Sequence, residues 1–282
     1  MSNDNLTAPL ISKWSDLGVR SLSAALLIPA VLLDIWQGGI WFELFMGFLG
    51  ILMAHEWTNI AHGRSSSQFA LHAAAALGAA FLPREVGVLP ALLVIFLLTA
   101  AGIALSAFQQ REKTIWIYIG IPYVALPVLS LVLLRTDATW GVHAIMWLML
   151  VVWATDTFAY FAGRVIGGPK LAPLLSPKKT WAGLLGGMAG AGIISTAYGL
   201  VYLPTIWQLA IVAAILAAIA QAGDILESAL KRNFNVKDSG VLIPGHGGVL
   251  DRVDGLAMAG VAAAAIGFAR NAEALAQGLL LW

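Results

Sequence analysis

The stretch Thr205-Ile-Trp-Gln-Leu-Ala-Ile-Val-Ala-Ala-Ile-Leu-Ala-Ala-Ile-Ala-Gln-Ala-Gly223 has no charged side chain, and Asp224 follows it directly. An α-helix rises about 1.5 Å per residue, so a helix of this length covers most of the roughly 30 Å hydrocarbon core of a bilayer. The stretch therefore predicts a membrane-spanning helix that ends at a polar boundary near Asp224.

The composition of the whole chain agrees with a lipid environment. Of its 282 residues, 60% are hydrophobic and 11% charged, and the mean hydropathy is +0.84. Soluble domains carry about 25% charged residues. The formal net charge of +1 gives no indication of nucleic-acid binding, and the absence of cysteine excludes disulfides, thiolate catalysis and cysteine-based metal sites. Any metal must be held by oxygen or imidazole.

Similar apolar stretches recur along the chain and predict an all-α fold, a polytopic transmembrane helical bundle of about nine spans. The first has no small-residue cleavage motif and is interpreted as a retained span. The third is short and alanine-rich, and the ninth contains charged residues, so their signals are the weakest. The candidate spans are 19–37, 40–61, 68–83, 86–108, 115–134, 139–163, 181–202, 205–223 and 255–281.

Basic residues are distributed unevenly between the two sides that nine spans define. The N-terminus and the loops after even-numbered spans carry thirteen of the sixteen, and the other side carries Arg84, Arg135 and Arg270. Positive loops concentrate in the cytoplasm, so the N-terminus is predicted to be cytoplasmic. The chain divides into a cytoplasmic segment 1–18, membrane helices 19–138 and a C-terminal catalytic region 139–282, whose loops 164–180 and 224–254 share the cytoplasmic face.

Loop 224–254 is the least membrane-like part of the chain. It combines cations that suit phosphate, carboxylates of the kind that Mg²⁺ prefers, and glycines around His246 that let backbone N–H groups approach a phosphate. These residues are Lys231, Arg232, Lys237 and Arg252, then Asp224, Asp238, Asp251 and Asp254, and then Gly245, Gly247 and Gly248.

The spacing of the acids adds a constraint. Asp224 and Glu227 are three residues apart, so on a helix both face one way, and Asp251 and Asp254 repeat this spacing at the start of the ninth span. Two such pairs at two helix ends on one membrane face indicate a shared cation site. The plainer alternative is a charged loop in which Glu227 pairs with Lys231 at i, i+4.

Loop 164–180 is basic and ends where the seventh span begins. A helix N-terminus carries free N–H groups and partial positive charge, so the segment 176–180 is a candidate anion site. An ordinary positively charged flank explains the segment equally well. The loop contributes Arg164, Lys170, Ser176, Lys178 and Lys179.

Polar residues at membrane depth form one stripe in the sixth span. Asp156, Tyr160 and Arg164 lie at i, i+4 and i+8. A carboxylate at that depth is costly, so Asp156 is expected to face the bundle interior or a water-filled cavity, with structural pairing to a basic residue as the alternative. For His55 and Glu56 in the second span, structural roles are favoured.

Residues 228–254, which read SALKRNFNVKDSGVLIPGHGGVLDRVD, resemble without a break the signature of the phosphatidate cytidylyltransferases, also called CDP-diacylglycerol synthases. Detailed similarity covers roughly residues 156–255. Phe158, Ala182 and Gly255 stand where the family commonly has Gly, Glu and Ser. The upstream similar pieces are Asp156-Thr157, Gly163-Arg164, Ser176-Pro-Lys-Lys-Thr-Trp181 and Gly223-Asp224 with Glu227-Ser228.

The resemblance implies nucleotidyl transfer, in which a phosphatidate oxygen attacks the α-phosphorus of CTP and pyrophosphate leaves. It implies Mg²⁺, with Mn²⁺ and a second cation as variants, held first by Asp224 and Asp251 and supported by Asp254 and Glu227. Lys179 and Lys237 join the two aspartates as catalytic candidates, and for His246 the organisation of the loop is favoured. The substrate-binding candidates are Asp156, Arg164, Ser176, Lys178, Lys231, Arg232, Asp238, His246, Gly247, Gly248 and Arg252.

The expected partners are CTP, phosphatidic acid and membrane lipid, without nucleic acid, and a homodimer is left open. The expected location is a bacterial inner membrane, with the active face in the cytoplasm. One rival is a transporter or channel, which predicts polar residues spread through several spans. The other is a CDP-alcohol phosphotransferase, whose pattern requires further acids after an Asp-Gly pair, whereas apolar residues follow Asp254-Gly255 here.

Overall fold

Helices make up almost all of the described chain, as the all-α prediction requires. The computed structural model describes residues 25–109, 115–203, 206–240, 242 and 247–282. A short antiparallel hairpin of β1 (Lys170–Ala172) and β2 (Ser176–Thr180) lies between the sixth and seventh helices. The helices are α1 (Ala25–Gln37), α2 (Gly39–Ala61), α3 (Ser66–Val86), α4 (Val88–Phe108), α5 (Ile115–Thr136), α6 (Gly141–Val165), α7 (Trp181–Tyr202), α8 (Trp207–Asn233), α9 (Leu250–Arg270) and α10 (Leu275–Leu280).

The chain is an integral membrane protein. Within the described ranges, seven helices are long and apolar enough to cross a bilayer, namely α2 and α4 to α9. Helix α3 has 21 residues, although it is less apolar, and the described part of α1 is a shorter apolar helix. The prediction of about nine spans is therefore close, since α1 and α3 occupy the positions of the first and third. The predicted segment 1–18 lies outside the described residues.

Short connections make successive helices run in opposite directions, and contacts between helix ends show which ends lie together. Arg135 in the last turn of α5 donates a hydrogen bond to the backbone oxygen of Ile35 (2.6 Å), near the end of α1. Glu43 in α2 lies 3.6 Å from Arg84 near the end of α3. We call this the distal end of the bundle, and the site described below lies at the other end.

Helices α6, α7 and α8 are fixed to one another by close packing and by buried hydrogen bonds. A Cβ added at Gly187 would lie 3.0 Å from the backbone oxygen of Thr155, so a larger residue would push α7 away from α6. The buried Trp147 indole donates to Ser195 (2.9 Å), whose hydroxyl donates to the backbone oxygen of Leu209 (3.1 Å). These contacts hold the three helices that carry much of the site.

Two predicted boundaries around the eighth and ninth spans were wrong. Residues 224–233 were predicted as loop, but α8 continues to Asn233, so the connection to α9 begins at Phe234. Hydropathy marks the edge of the membrane, whereas a helix can continue into water when i, i+4 pairs such as Glu227 and Lys231 support it.

The ninth span also begins and ends earlier than predicted. Helix α9 begins at Leu250 instead of 255 and ends at Arg270. Asn271 ends it with an extended backbone, and its side chain accepts from the N–H groups of Glu273 (3.2 Å) and Ala274 (3.1 Å). The short α10 then packs back on α9, where the Arg270 guanidinium bonds to the backbone oxygen of Gly278.

The segment 176–180 is a strand and not the first turn of a helix. In the hairpin, Lys170 pairs with Thr180 and Ala172 with Ser176. Ser176 precedes Pro177, and a residue before proline favours extended backbone. Only Thr180 belongs to the start of α7, where its hydroxyl accepts from the N–H of Gly183 at 3.0 Å. The segment therefore reaches the N-terminus of α7 as a strand, and the candidate anion site there stays a prediction.

The arrangement of helix ends predicts which positions share a membrane face. Because the chain has no cysteine, the single variants Ser66→Cys, Lys170→Cys and Asn235→Cys report their own positions. A membrane-impermeant maleimide should label all three from one side of sealed vesicles. The control Asp137→Cys, between α5 and α6, should label only from the other side. If any of the three were labelled from the same side as Asp137→Cys, the alternating direction of successive helices would be contradicted.

Candidate active site

Three adjoining cavities lie between the site ends of α6, α7, α8 and α9 and the hairpin. The hairpin cavity measures about 470 Å³, the acidic cavity about 360 Å³ and the basic cavity about 220 Å³. Asp156 and Asp224 line both the hairpin and the acidic cavities, and Lys178 lines both the hairpin and the basic cavities. Lys231 and Asp238 line both the acidic and the basic cavities. The three spaces are thus parts of one polar site.

Lys179 connects the hairpin to helix α8. Its Nζ atom lies 2.7 Å from the Asp224 carboxylate, and it donates to the side-chain oxygen of Gln221 at 2.8 Å. The Asp224 side chain is 39% exposed, so it faces the cavities while it binds the lysine. This contact places the Lys179 side chain on the wall between the hairpin and acidic cavities.

Lys231 connects helix α8 to helix α9. Its Nζ atom lies 2.7 Å from Glu227, one turn earlier, and 2.5 Å from Asp251 in the first turn of α9. The Glu227 side chain is 1% exposed. A charge buried this deeply needs a partner of opposite sign. The plain i, i+4 pair expected from the sequence is present, and it belongs to the site because Lys231 also binds Asp251.

Asp251 accepts hydrogen bonds from the loop that precedes α9. Its Oδ2 atom accepts from the Ser239 N–H (2.9 Å), the Ser239 hydroxyl (2.8 Å) and the Gly248 N–H (3.2 Å). Its Oδ1 atom faces Lys231. Gly247, a predicted substrate-binding residue, has a φ of +89°, which favours glycine and lets the loop turn beside Asp251.

Glu56 of helix α2 also reaches this loop, although it is far away in the sequence. It is 1% exposed. One oxygen accepts from the Val249 N–H (2.9 Å), and the other accepts from the Leu250 N–H (2.8 Å) and the Ser239 hydroxyl (3.1 Å). Glu56 therefore fastens the start of α9 to the N-terminal half of the bundle.

The two predicted pairs of acids line one cavity, and their shared cation site stays a prediction. Asp224 and Glu227 from α8 and Asp251 and Asp254 from α9 line the same acidic cavity, together with Asp156 and Asp238. Six carboxylates thus face two basic residues in that lining, Lys231 and Arg252. Such an excess of hard oxygen donors suits a divalent cation. Among the described residues, no three ligand groups stand close enough to hold a metal by themselves.

The remaining basic candidates surround the other two cavities. Arg164 lines the hairpin cavity and donates to the Tyr160 hydroxyl at 2.8 Å, which confirms the predicted stripe on α6. The basic cavity has four basic residues and one acid in its lining, and polyanions favour such a surface. Its predicted members are Ser176, Lys178, Lys231, Arg232, Lys237 and Asp238.

Two residues that contact the site were not predicted to belong to it, and one predicted residue lies outside the described part of the chain. Glu56 was assigned a structural role, and Ser239 was not singled out. A carboxylate at membrane depth was the one signal that could have found Glu56, and Ser239 had no signal of its own. His246 lies outside the described residues.

These features define a class of protein: a polytopic membrane enzyme whose polar site, at one end of the bundle, is built for anionic substrates. The comparisons with known proteins narrow this class. The model of the cytidylyltransferase family matches residues 18–269. A phosphatidate cytidylyltransferase of Brucella abortus is 42% identical over 260 residues, which cover 89% of this chain and 92% of that protein. One of Staphylococcus haemolyticus is 33% identical over 245 residues, which cover 84% of this chain and 93% of that protein.

The chain belongs to the cytidylyltransferase family. A third phosphatidate cytidylyltransferase, from Rickettsia bellii, is 37% identical over 178 residues, which cover 59% of this chain and 76% of that protein.

The shared role of Lys231 gives a prediction about stability. Lys231→Ala leaves the buried Glu227 and its neighbour Asp251 without their common cation, so we expect it to lower the free energy of unfolding by about 3 kcal/mol or more. Thermal unfolding in detergent measures the loss. The control Arg232→Ala removes an exposed cation at the next position and should stay within about 0.5 kcal/mol. Equal unfolding temperatures for the two variants would contradict the assigned pairing.

Proposed function

We propose that this chain transfers the cytidylyl group of CTP to phosphatidic acid, giving CDP-diacylglycerol and pyrophosphate. The observation that carries the proposal is the continuity of the acidic and basic cavities at Lys231 and Asp238. A cation site and a polyanion site therefore share one wall. The family and the relatives described above support this reaction.

The chemistry is a direct displacement at the α-phosphorus of CTP. A phosphate oxygen of phosphatidic acid forms the new P–O bond, and the bond from the α-phosphorus to the β-bridging oxygen breaks, so that pyrophosphate carries away that oxygen and its electrons. A phosphate monoester is mostly doubly ionised at neutral pH, because its second pKa is near 6. The nucleophile therefore needs no strong general base.

The protein's task is to bring two polyanions together in line. Lysines and arginines reduce the repulsion, and positioning converts the encounter into an effectively unimolecular step. Lys179 and Lys237 are our first choices for the charges that act on the reacting phosphates, with Arg164, Lys178, Arg232 and Arg252 as further binding residues. Lys179 contacts the Asp224 carboxylate, which holds the lysine at the shared wall of the hairpin and acidic cavities.

Asp224 and Asp251 are the proposed protein ligands of a divalent cation, with Glu227 and Asp254 in support. Mg²⁺ is usually bound through one or two carboxylates plus substrate phosphates, so a site of this kind needs no complete cage of protein ligands. When bound, the cation would neutralise charge on the phosphates and stabilise the leaving pyrophosphate. The excess of acids in the acidic cavity supports this assignment.

The proposed location is a bacterial inner membrane with the site facing the cytoplasm. The nine-span prediction assigns thirteen of the sixteen basic residues to the N-terminal side, and positive residues favour the cytoplasmic side. The transporter alternative is disfavoured because the six acids of the acidic cavity lie at one end of the bundle. Assembly into a homodimer stays a prediction.

The first functional prediction is that purified protein forms CDP-diacylglycerol. With phosphatidic acid, labelled CTP and Mg²⁺, labelled lipid and pyrophosphate should appear in equal amounts. Omission of phosphatidic acid is the control, since hydrolysis of CTP alone would release pyrophosphate without labelled lipid. Folded protein that forms no labelled lipid with either Mg²⁺ or Mn²⁺ would overturn the proposed function.

The second functional prediction concerns the aspartates. Asp224→Asn and Asp251→Asn keep the size of the side chain but remove the charge that a hard cation requires. Each should reduce turnover by at least about a hundredfold, and the double variant should be little worse than either, because members of one site act as a unit. The control Asp137→Asn makes the same change at the distal end and should leave the rate unchanged. Losses that simply multiply would contradict a shared site.

A further inference from the structure

Glu56 makes contacts that are more specific than packing requires. Its two oxygens accept three hydrogen bonds from residues nearly two hundred positions later, the N–H groups of Val249 and Leu250 and the hydroxyl of Ser239. It is 1% exposed in a helix that is apolar enough to span a membrane. A buried carboxylate is costly, so its position indicates a function.

The first consequence of these contacts is that the start of α9 is held in place. The first N–H groups of a helix have no partner within the helix, and the positive end of the helix attracts a negative charge. Val249 precedes α9 and has no side-chain capping bond of its own. Glu56 supplies both the charge and the acceptors for Val249 and Leu250. It therefore fixes the first turn of α9, which carries Asp251.

The second consequence is a direct link from Glu56 to Asp251. The Ser239 hydroxyl lies 3.1 Å from a Glu56 oxygen and 2.8 Å from the Asp251 Oδ2 atom. The hydroxyl lies within hydrogen-bond distance of both carboxylates and donates its one proton to either of them, so Ser239 connects the two. The surrounding backbone packs closely against these side chains. A Cβ at Gly240 would lie 2.4 Å from Glu56, and one at Gly248 would lie 1.9 Å from the Ser239 oxygen.

We propose that Glu56 is a positioning residue for the transfer reaction, which acts through Ser239 and the first turn of α9 to orient the Asp251 carboxylate in the acidic cavity. This inference rests on the proposed function and extends it to the N-terminal half of the bundle. Helix α2 is then a supporting wall of the active site and more than a membrane anchor. The N–H groups of Ser239 and Gly248 donate to the Asp251 Oδ2 atom. These bonds orient the carboxylate so that its Oδ1 atom faces Lys231.

The first test is Glu56→Gln. The amide keeps the size of the side chain but replaces one acceptor with an N–H₂ group, which then faces an N–H or O–H donor. We expect kcat to fall about tenfold or more, as for partners that orient metal ligands. The Mg²⁺ concentration for half-maximal activity should rise, while KM for CTP should stay within about threefold, because Glu56 lines none of the three cavities.

A matched control lies on the same helix. Glu43 is also buried, but it sits at the distal end, where it pairs with Arg84. Glu43→Gln should leave kcat and the Mg²⁺ dependence unchanged, even if it lowers the unfolding temperature. The comparison separates a role in the site from the general cost of altering a buried carboxylate.

The bridging hydroxyl gives a second variant that preserves the fold. Ser239→Ala removes the link between the carboxylates, while Glu56 keeps its bonds to Val249 and Leu250. It should lower kcat with little change in unfolding temperature. In a double-mutant cycle, the fold-loss of kcat in the Glu56→Gln, Ser239→Ala double variant should be smaller than the product of the two single losses. Both substitutions break the same connection from Glu56 through Ser239 to Asp251.

The outcomes are distinct. A Glu56→Gln variant with wild-type kcat and Mg²⁺ dependence, or losses that multiply in the cycle, would overturn the positioning role. If Glu56→Gln does not fold, Ser239→Ala decides alone, and a wild-type rate in that variant would overturn it. If the wild-type protein itself forms no CDP-diacylglycerol, the proposed function fails first and this inference fails with it.

Discussion

The ammonium group of Lys231, which binds two carboxylates on two different helices, is the contact on which the site depends. Glu227 in α8 is almost completely buried, and Asp251 in α9 approaches from the other side. Carboxylates buried at a membrane boundary need a compensating charge. Because one lysine serves both, α8 and α9 must meet at this point. Lys231, Glu227 and Asp251 all line the acidic cavity, which lies beside this junction of the two helices.

The second constraint is the hairpin before α7. Lys179 binds Asp224 and Gln221 of α8, so the hairpin edge is fastened to the side of that helix. This contact makes Asp224 a shared wall of the hairpin and acidic cavities. Lys179 therefore links α8 to the hairpin, and Lys231 links α8 to α9. They keep positive charge next to the carboxylates, so that two anionic substrates can enter a site that is rich in acids.

Local sequence patterns predicted what depends on local geometry. The three-residue spacing of Asp224 and Glu227, and of Asp251 and Asp254, places each pair on one helix face because an α-helix repeats every 3.6 residues. The Tyr160 and Arg164 stripe followed from the same rule. Hydropathy found the membrane helices, but it misplaced the end of α8 and the start of α9 because it detects the membrane edge and not the helix end.

Contacts between distant parts of the chain could not be predicted in this way. The bond from Glu56 to the start of α9 depends on which helices pack side by side, and no periodicity within one helix encodes that choice. Ser239 was equally hidden, since a serine in a polar loop has no distinctive pattern. The extended strand at Ser176 followed local chemistry, because Pro177 follows it, but the flanking basic residues favoured a helix-terminus interpretation.

We propose that the site holds CTP and phosphatidic acid together for direct transfer, without an intermediate bound to the protein. The stereochemistry at the α-phosphorus distinguishes direct transfer from a two-step route. CTP with a chiral α-phosphorothioate would be converted to the lipid product, and the configuration would be read by phosphorus NMR. One in-line displacement predicts inversion. Retention of configuration would require two displacements through a covalent nucleotidyl-enzyme, and it would exclude direct transfer.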